Sequence, residues 1–155
     1  MKRRRGLLLT ELLLVVAIMG LASAILLPSI YEWHRERILT AATEEICALI
    51  RTTQAESRSR NAIDRGGVLR QIQFSEVDGR IQYRTYLGAT RTKPPGWLPK
   101  EISLSPSTVT LIFNINGFPK NDKNYSFNVM LADKSHARRI TIARYTGRIR
   151  VENAW

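Results

Sequence analysis

The sequence MKRRRG, residues 1–6, is followed by LLLTELLLVVAIMGLASAILL, residues 7–27, and then by Pro28. Apart from Glu11 and two hydroxyl residues, the second stretch is apolar. As an α-helix it would be about 31 Å long, which is the thickness of the hydrocarbon core of a bilayer. We therefore expect residues 7–27 to form a membrane-spanning helix.

The basic residues before the apolar run predict its orientation. Lys2, Arg3, Arg4 and Arg5 stand together, and clustered Lys and Arg are retained on the cytoplasmic side of a membrane. We therefore expect a single-pass protein of the inner (cytoplasmic) membrane whose C-terminal domain is extracytoplasmic.

Glu11 is unusual because it lies inside the apolar run. A carboxylate at the centre of a membrane helix costs about 2.5–3.5 kcal/mol, and less near an end. One interpretation is that Glu11 pairs with a positive charge of another subunit, which would make it an assembly determinant. The other is that its side chain reaches back to the headgroup zone and has no further role.

A secretory signal peptide is a competing interpretation of the N-terminus. Ala22-Ser23-Ala24 is similar to a signal peptidase motif. However, the apolar run continues past this motif to Leu27, and Glu11 would interrupt the hydrophobic region of a signal peptide. We therefore favour the membrane helix.

Residues 28–65 predict an amphipathic helix that continues from the apolar one to about residue 62. Pro28 should kink this helix rather than end it, and Gly66-Gly67 should stop it. A spacing of three to four residues relates its apolar or small side chains: Ile30, Ile38, Ala42, Ile46, Leu49, Ile50 and Thr53.

Residues 66–155 predict an antiparallel β-sheet domain, because the apolar period changes to two. Asp78-Gly79 is typical of a type I′ hairpin turn, and residues 93–99 should form a loop. The fold class is α+β, with a long N-terminal hydrophobic helix before the sheet. The predicted strands are residues 68–74, 80–87, 109–115, 125–131, 139–145 and 148–151.

No catalytic or cofactor-binding pattern occurs in the sequence. Paired metal-ligand spacing, a phosphate-binding glycine loop and a nucleophile elbow are all missing, and His34 and His136 stand alone. Glu44 and Glu45 should be solvated on the helix surface. The single Cys47 cannot form an intrachain disulfide, and we expect a buried thiol. We expect neither an enzyme nor a cofactor.

The chain is strongly basic, with 24 Lys and Arg against 13 Asp and Glu and a net charge of +11. In strand 148–151, Arg148 and Arg150 should share one face about 6.8 Å apart, with Ile149 and Val151 facing the core. The arginines could contact neighbouring phosphates along one strand of a nucleic acid, or they could guard a solvated sheet edge against aggregation. The candidate nucleic-acid-binding residues are Arg148, Arg150, Arg138, Arg139, Arg144 and Lys134.

From Arg3 to Pro28 the sequence resembles the prepilin signature shared by type IV pilins, minor pilins and type II secretion pseudopilins. A glycine before the apolar run corresponds to Gly6, and the glutamate fifth in the mature chain corresponds to Glu11. The family also has a glycine and a proline where Gly20 and Pro28 stand. Leu7 departs from the family, which usually has phenylalanine there.

This resemblance implies how the N-terminus is processed and assembled. Residues 1–6 would be a leader that prepilin peptidase removes between Gly6 and Leu7, and the new terminus at Leu7 would be N-methylated. Glu11 would neutralise the N-terminal amine of a neighbouring pilin or pseudopilin subunit. After assembly, the protein would lie in a pilus at the cell surface.

Residues 58–63 and 137–152 resemble the FimT/GspH class of minor pilins and pseudopilins. FimT-type members have a Gly-Arg-x-Arg motif that contacts DNA, and Gly147-Arg148-Ile149-Arg150 fits it. This resemblance implies a minor pilin that binds extracellular DNA for uptake in natural transformation. The alternative is a minor pseudopilin of type II secretion, which would contact other pseudopilins or cargo. A membrane-anchored enzyme is a third class, which no catalytic pattern supports.

Overall fold

The computed structural model describes residues 3–59, 69–121 and 123–154, with side chains from residue 9 onward except at 24–29. Within these residues, one long helix precedes two antiparallel sheets. The predicted α+β class with antiparallel strands is therefore confirmed.

The helix α1 spans Arg3–Arg58. Nine strands follow it in the described part of the chain: β1 (Arg70–Val77), β2 (Arg80–Leu87), β3 (Thr90–Arg91), β4 (Gly96–Trp97), β5 (Ile102–Ser105), β6 (Val109–Phe113), β7 (Tyr125–Leu131), β8 (Ala137–Ile142) and β9 (Ile149–Asn153).

The chain divides into two compact units, Met1–Glu36 and Arg37–Trp155. The first unit is helical wherever it is described, and the large apolar side chains that it presents are exposed. Across the described residues, no helix combines the length and the apolar character of a candidate membrane span. The spanning role of residues 7–27 stays a prediction.

In the second unit, the helical residues 37–58 bury one face. This pattern agrees with the predicted amphipathic helix from Ile38 onward, whereas Ile30, in the first unit, is 60 % exposed. The helix ends at Arg58, before the expected residue 62, and Gly66-Gly67 lies outside the described residues. The buried residues recur every three or four positions: Leu39, Ala42, Thr43, Ile46, Cys47, Ile50, Thr53, Gln54 and Ser57.

The first sheet has the strand order β3-β2-β1-β6, and β4 also pairs with β2. Asp78 and Gly79 join β1 to β2 with φ angles of 51° and 70°, which confirms the predicted type I′ turn. The predicted loop at residues 93–99 contains β4, where Gly96 pairs with Tyr83. A Cβ at Gly96 would collide with the Tyr83 ring, so the close approach depends on glycine.

The second sheet has the order β5-β7-β8-β9, all antiparallel. The prediction of a single sheet is therefore wrong, because the strands divide between two sheets. The sequence interpretation also missed β5, which is only four residues long and buries just Ile102 and Leu104. Strand β9 forms one edge of this sheet.

Residues 37–58 of α1 and both sheets share one hydrophobic core. Phe74 of β1 lies 6.2 Å from Phe127 of β7, measured between ring centroids, so side chains of the two sheets meet directly. The backbone N–H of Ile112 also donates to the hydroxyl of Tyr125 at 3.2 Å. This shared core holds the C-terminal strands in place relative to the end of the helix.

Candidate nucleic-acid interface

The end of α1 contacts two glycine-containing turns. The buried Gln54 donates from Nε2 to the carbonyl oxygen of Gly147 at 2.8 Å. One helical turn later, Arg58 donates from Nε to the carbonyl oxygen of Asn116 at 3.0 Å. The helix therefore positions both the segment before β9 and the segment after β6.

Gly147 is required by both its conformation and its surroundings. Its φ of +65° lies in the left-handed region, which residues other than glycine rarely adopt. A Cβ there would lie 2.9 Å from Nε2 of Gln54 and 3.1 Å from the carbonyl oxygen of Gly117. The glycine of the Gly-Arg-x-Arg motif is thus explained by packing against the helix end.

Residues 143–148 form the connection between β8 and β9, which we call the β8–β9 turn. Within it, the N–H of Gly147 donates to the carbonyl oxygen of Ala143 at 2.8 Å, and that of Ala143 donates to the carbonyl oxygen of Arg148 at 2.9 Å. The N–H of Arg144 donates to Oδ1 of Asn124 at 2.9 Å. These bonds fix the backbone that carries the basic side chains.

Arg148 and Arg150 line one concavity of about 550 Å³, and both are exposed. Arg148 directly precedes β9, and Arg150 is the second residue of that strand. The two basic side chains therefore open onto the same shallow surface. Its other lining residues are Asn124, Thr141, Ala143 and Ile149.

The aliphatic side chains of β9 lie on the core side of the sheet but are covered to different extents, since Val151 is opposite the buried Ile140. Ile149 is half-buried and packs on the core, as expected. Val151 is on the same side but is 41 % exposed, so it is covered less than expected. Because β9 is an edge strand, its inner face is incompletely covered beyond Ile149.

Arg150 forms an ion pair with Glu152, with Nε 2.8 Å from Oε1. The two side chains are 74 % and 45 % exposed, and ion pairs at such sites contribute only about 0–1 kcal/mol. In the strand register, Glu152 lies opposite Arg139 of β8. The Nε of Arg139 donates to Oδ1 of Asn128 at 3.2 Å. Glu152 therefore reduces the positive charge of this face.

The structure brings some of the predicted basic residues together and separates others, and the register places Arg139 on the same face of the sheet as Arg150. Arg144 and Arg148 lie in the β8–β9 turn, and Arg139 is exposed within β8. Arg138 is half-buried and, as the neighbour of Arg139 in a strand, points to the opposite face. Lys134 lies in the turn before β8, at the other end of that strand, with a φ of 61°.

A second concavity, of about 600 Å³, lies beside the same turn and was not expected from the sequence. Tyr145 lines it and is 75 % exposed, with the Cζ of Arg144 4.8 Å from the centre of its ring. The sequence feature that could have indicated this concavity is an aromatic residue, Tyr145, between basic residues of the turn. Arg144 also lines this concavity, and the other lining residues are Asn114, Phe118, Pro119, Lys120 and Asn121.

The residues predicted to act in leader cleavage, methylation and assembly belong to the first unit. Gly6 and Leu7 fall within α1, and the side chain of Leu7 is outside the part of the chain whose side chains are described. Glu11 is exposed on the same helix, among exposed leucines and valines. The predicted cleavage, methylation and assembly roles stay predictions.

Three of the titratable groups named from the sequence lie on α1. Cys47 is buried, as expected, and burial raises the pKa of its thiol. Glu44 and Glu45 are both exposed, as expected, and Glu45 also accepts a hydrogen bond from the Tyr83 hydroxyl at 3.1 Å. The pKa of the Tyr83 hydroxyl is raised, mainly because the group is partly buried and also because it donates this hydrogen bond to Glu45. Among the described residues, no group of three or more His, Cys, Asp or Glu could hold a metal ion.

The comparisons with known proteins do not assign this chain to a family. No protein-family model, curated protein or solved structure matches it.

Proposed function

We propose that this chain is a minor type IV pilin that binds extracellular DNA for uptake in natural transformation. Prepilin peptidase removes residues 1–6, Leu7 is N-methylated, and residues 7–27 anchor the subunit in the inner membrane until it joins a pilus. The C-terminal domain is then carried on the pilus at the cell surface and binds double-stranded DNA. The protein has no enzymatic role in this proposal.

The shared concavity of Arg148 and Arg150 is the observation that carries this proposal. Guanidinium groups form charge-assisted hydrogen bonds with phosphates, and both side chains are exposed. Thr141 and Asn124 add polar groups to the same surface. The backbone beneath is fixed by the contact between Gln54 and Gly147, so little flexibility would be lost when DNA binds.

The exposed helix of the first unit supports the filament part of the proposal. Its apolar side chains include Leu12, Leu13 and Leu14, each at least 60 % exposed. A contiguous apolar surface of this kind is typical of a site covered by lipid or by other subunits. In a pilus, Glu11 would meet the N-terminal amine of a neighbouring subunit.

The DNA-binding role is tested by fluorescence anisotropy with the full chain in detergent and a labelled 20-bp duplex. We expect binding with little sequence preference, because phosphate contacts position a protein without reading bases. Replacing Arg148 and Arg150 together by glutamine should flatten the slope of log K against log salt by up to about 2.

A matched control replaces Arg91 of β3 and Lys100 of the turn between β4 and β5 by glutamine, which removes the same charge from two exposed residues outside both concavities. This variant should keep the slope of the wild type. An equal loss in both variants would show a general effect of net charge and would contradict a site at Arg148 and Arg150.

A minor pseudopilin of type II secretion is the second candidate, and the ion pair of Arg150 with Glu152 favours it. Alternating charges on the edge strand β9 would guard that edge against strand pairing. In this case the wild-type chain should not bind duplex DNA, and it should co-purify with other pseudopilins or cargo.

A further inference from the structure

The exposed ring of Tyr145 has no role in the phosphate contacts proposed above. It is the most exposed large hydrophobic side chain in the part of the chain that the structure describes. Arg144 lies over the ring at 4.8 Å, so the aromatic group is paired with a cation at the surface. An exposed aromatic of this kind can stack on another planar group.

The concavity beside Tyr145 combines the groups that an unpaired nucleotide needs. Phe118 and Pro119 give it an apolar part, and Asn114 and Asn121 add amide groups. Lys120 is exposed at its edge and adds a positive charge. Its volume of about 600 Å³ lies in the usual range of about 300–1,000 Å³ for small-molecule sites.

The same turn lines both concavities. Arg144 and Tyr145 line the second one, whereas Ala143 and Arg148 line the first. A strand of nucleic acid that crosses the turn can therefore place a base on one side and phosphates on the other. The bonds from Gln54 to Gly147 and from Arg144 to Asn124 hold the turn in this arrangement.

We propose that Tyr145 is a base-stacking site, so that the turn binds single-stranded DNA with an unpaired base in the second concavity. Lys120, Arg148 and Arg150 contact the phosphates that flank this base. The inference rests on the proposed DNA-binding function and deepens it by naming the form of DNA that binds most tightly. Bases of a duplex are stacked inside the helix, whereas every base of a single strand offers a free face to an aromatic ring.

The experiment measures binding of the full chain in detergent to three labelled probes at one salt concentration. These are a 20-nucleotide oligo-dT, a strand of the same length with abasic sites, and a 20-bp duplex. Tyr145→Ala should weaken oligo-dT binding roughly 5- to 150-fold, the range for losing one stacked base. It should change binding of the duplex and the abasic strand less than about 2-fold, and Tyr145→Phe should restore oligo-dT binding.

Trp97→Ala is the matched control, since Trp97 is also an exposed aromatic with an arginine, Arg80, over its ring. This variant should bind oligo-dT like the wild type. Thermal unfolding monitored by circular dichroism should be unchanged in Tyr145→Ala, because the side chain is exposed.

The outcomes separate the inference from the proposed function. If Tyr145→Ala binds oligo-dT like the wild type while the Arg148 and Arg150 double variant loses duplex binding, the stacking site is overturned and the DNA-binding function stands. Equal wild-type affinity for oligo-dT and the abasic strand would also overturn stacking. If the wild type binds none of the probes, or binds a glutamate polymer equally well, both proposals are overturned.

Discussion

Gln54 and Gly147 are 93 residues apart in the sequence and are joined by a hydrogen bond of 2.8 Å from Nε2 to the carbonyl oxygen. Gln54 is buried on the face of α1 that contacts the sheets. Gly147 is buried as well, and it begins the Gly-Arg-x-Arg motif. The orientation of the basic turn is therefore set by a residue of the helix.

We expect Gln54→Leu to destabilise the protein. The leucine has a similar volume but leaves the buried carbonyl of Gly147 without its donor, which costs about 1–3 kcal/mol. Urea unfolding of the full chain in detergent measures this change. Thr52→Ala is the control, because it removes an exposed hydroxyl on the same helix, and it should cost much less. Equal effects would mean that the bond to Gly147 contributes nothing measurable.

Gly147→Ala should be more costly than Gly79→Ala. Both glycines have positive φ, 65° and 70°, which costs an alanine about 1–2 kcal/mol. Only Gly147 has close neighbours, since nothing lies within 4 Å of a Cβ at Gly79. The difference between the two unfolding free energies measures the crowding of this Cβ by Gln54 and by the carbonyl oxygen of Gly117. Equal costs would show that the helix end moves away freely.

The features predicted correctly from the sequence are local. The hairpin turn at Asp78-Gly79 and the bounds of β2 and β7 agree with the structure, since turn chemistry and alternation act over a few residues. The buried Cys47 follows from the helical period.

The features that were missed depend on contacts between distant residues. The division into two sheets is set by packing across the core, as between Phe74 and Phe127. The exposure of Val151 follows from the position of β9 at an edge, which strand alternation does not show. In the same way, the concavity of Tyr145 combines the β8–β9 turn with Lys120 and its neighbours, and no spacing rule predicts that meeting.

The stability of the protein should fall as the pH rises above 9.0, the ordinary pKa of a cysteine thiol. Burial raises the pKa of Cys47, so the folded state keeps a proton that the unfolded state loses. This contribution is complete below the unfolded pKa and is lost as the pH rises through the folded one. Cys47→Ala should therefore show a shallower decline of unfolding free energy as the pH rises above 9.0. An unchanged slope would contradict this, and Tyr83→Phe provides the comparison for the second raised pKa.

Glu11→Leu should leave leader cleavage intact and impair incorporation into filaments. A carboxylate in an apolar segment is costly unless a partner charge meets it, and the proposed partner is the N-terminal amine of a neighbouring subunit. Mass spectrometry of membrane-extracted protein should show a mature chain that starts at Leu7, and sheared filaments should contain less of the variant. A start at Ile25 would indicate an ordinary signal peptide, and normal incorporation of the variant would exclude the assembly role.

Glu152→Gln should strengthen DNA binding. The carboxylate pairs with Arg150 at 2.8 Å and repels phosphates, so its removal frees the guanidinium group and takes a negative charge from the face that meets DNA. Because the pair is exposed and contributes about 0.2–1 kcal/mol, affinity for a duplex should rise about 1.5- to 5-fold at low salt. The gain should shrink as salt screens the charges.

Glu44→Gln is the control, because it removes an exposed carboxylate from the helix, and it should change affinity less. Weaker binding by Glu152→Gln would mean instead that Glu152 holds Arg150 in the orientation that contacts DNA.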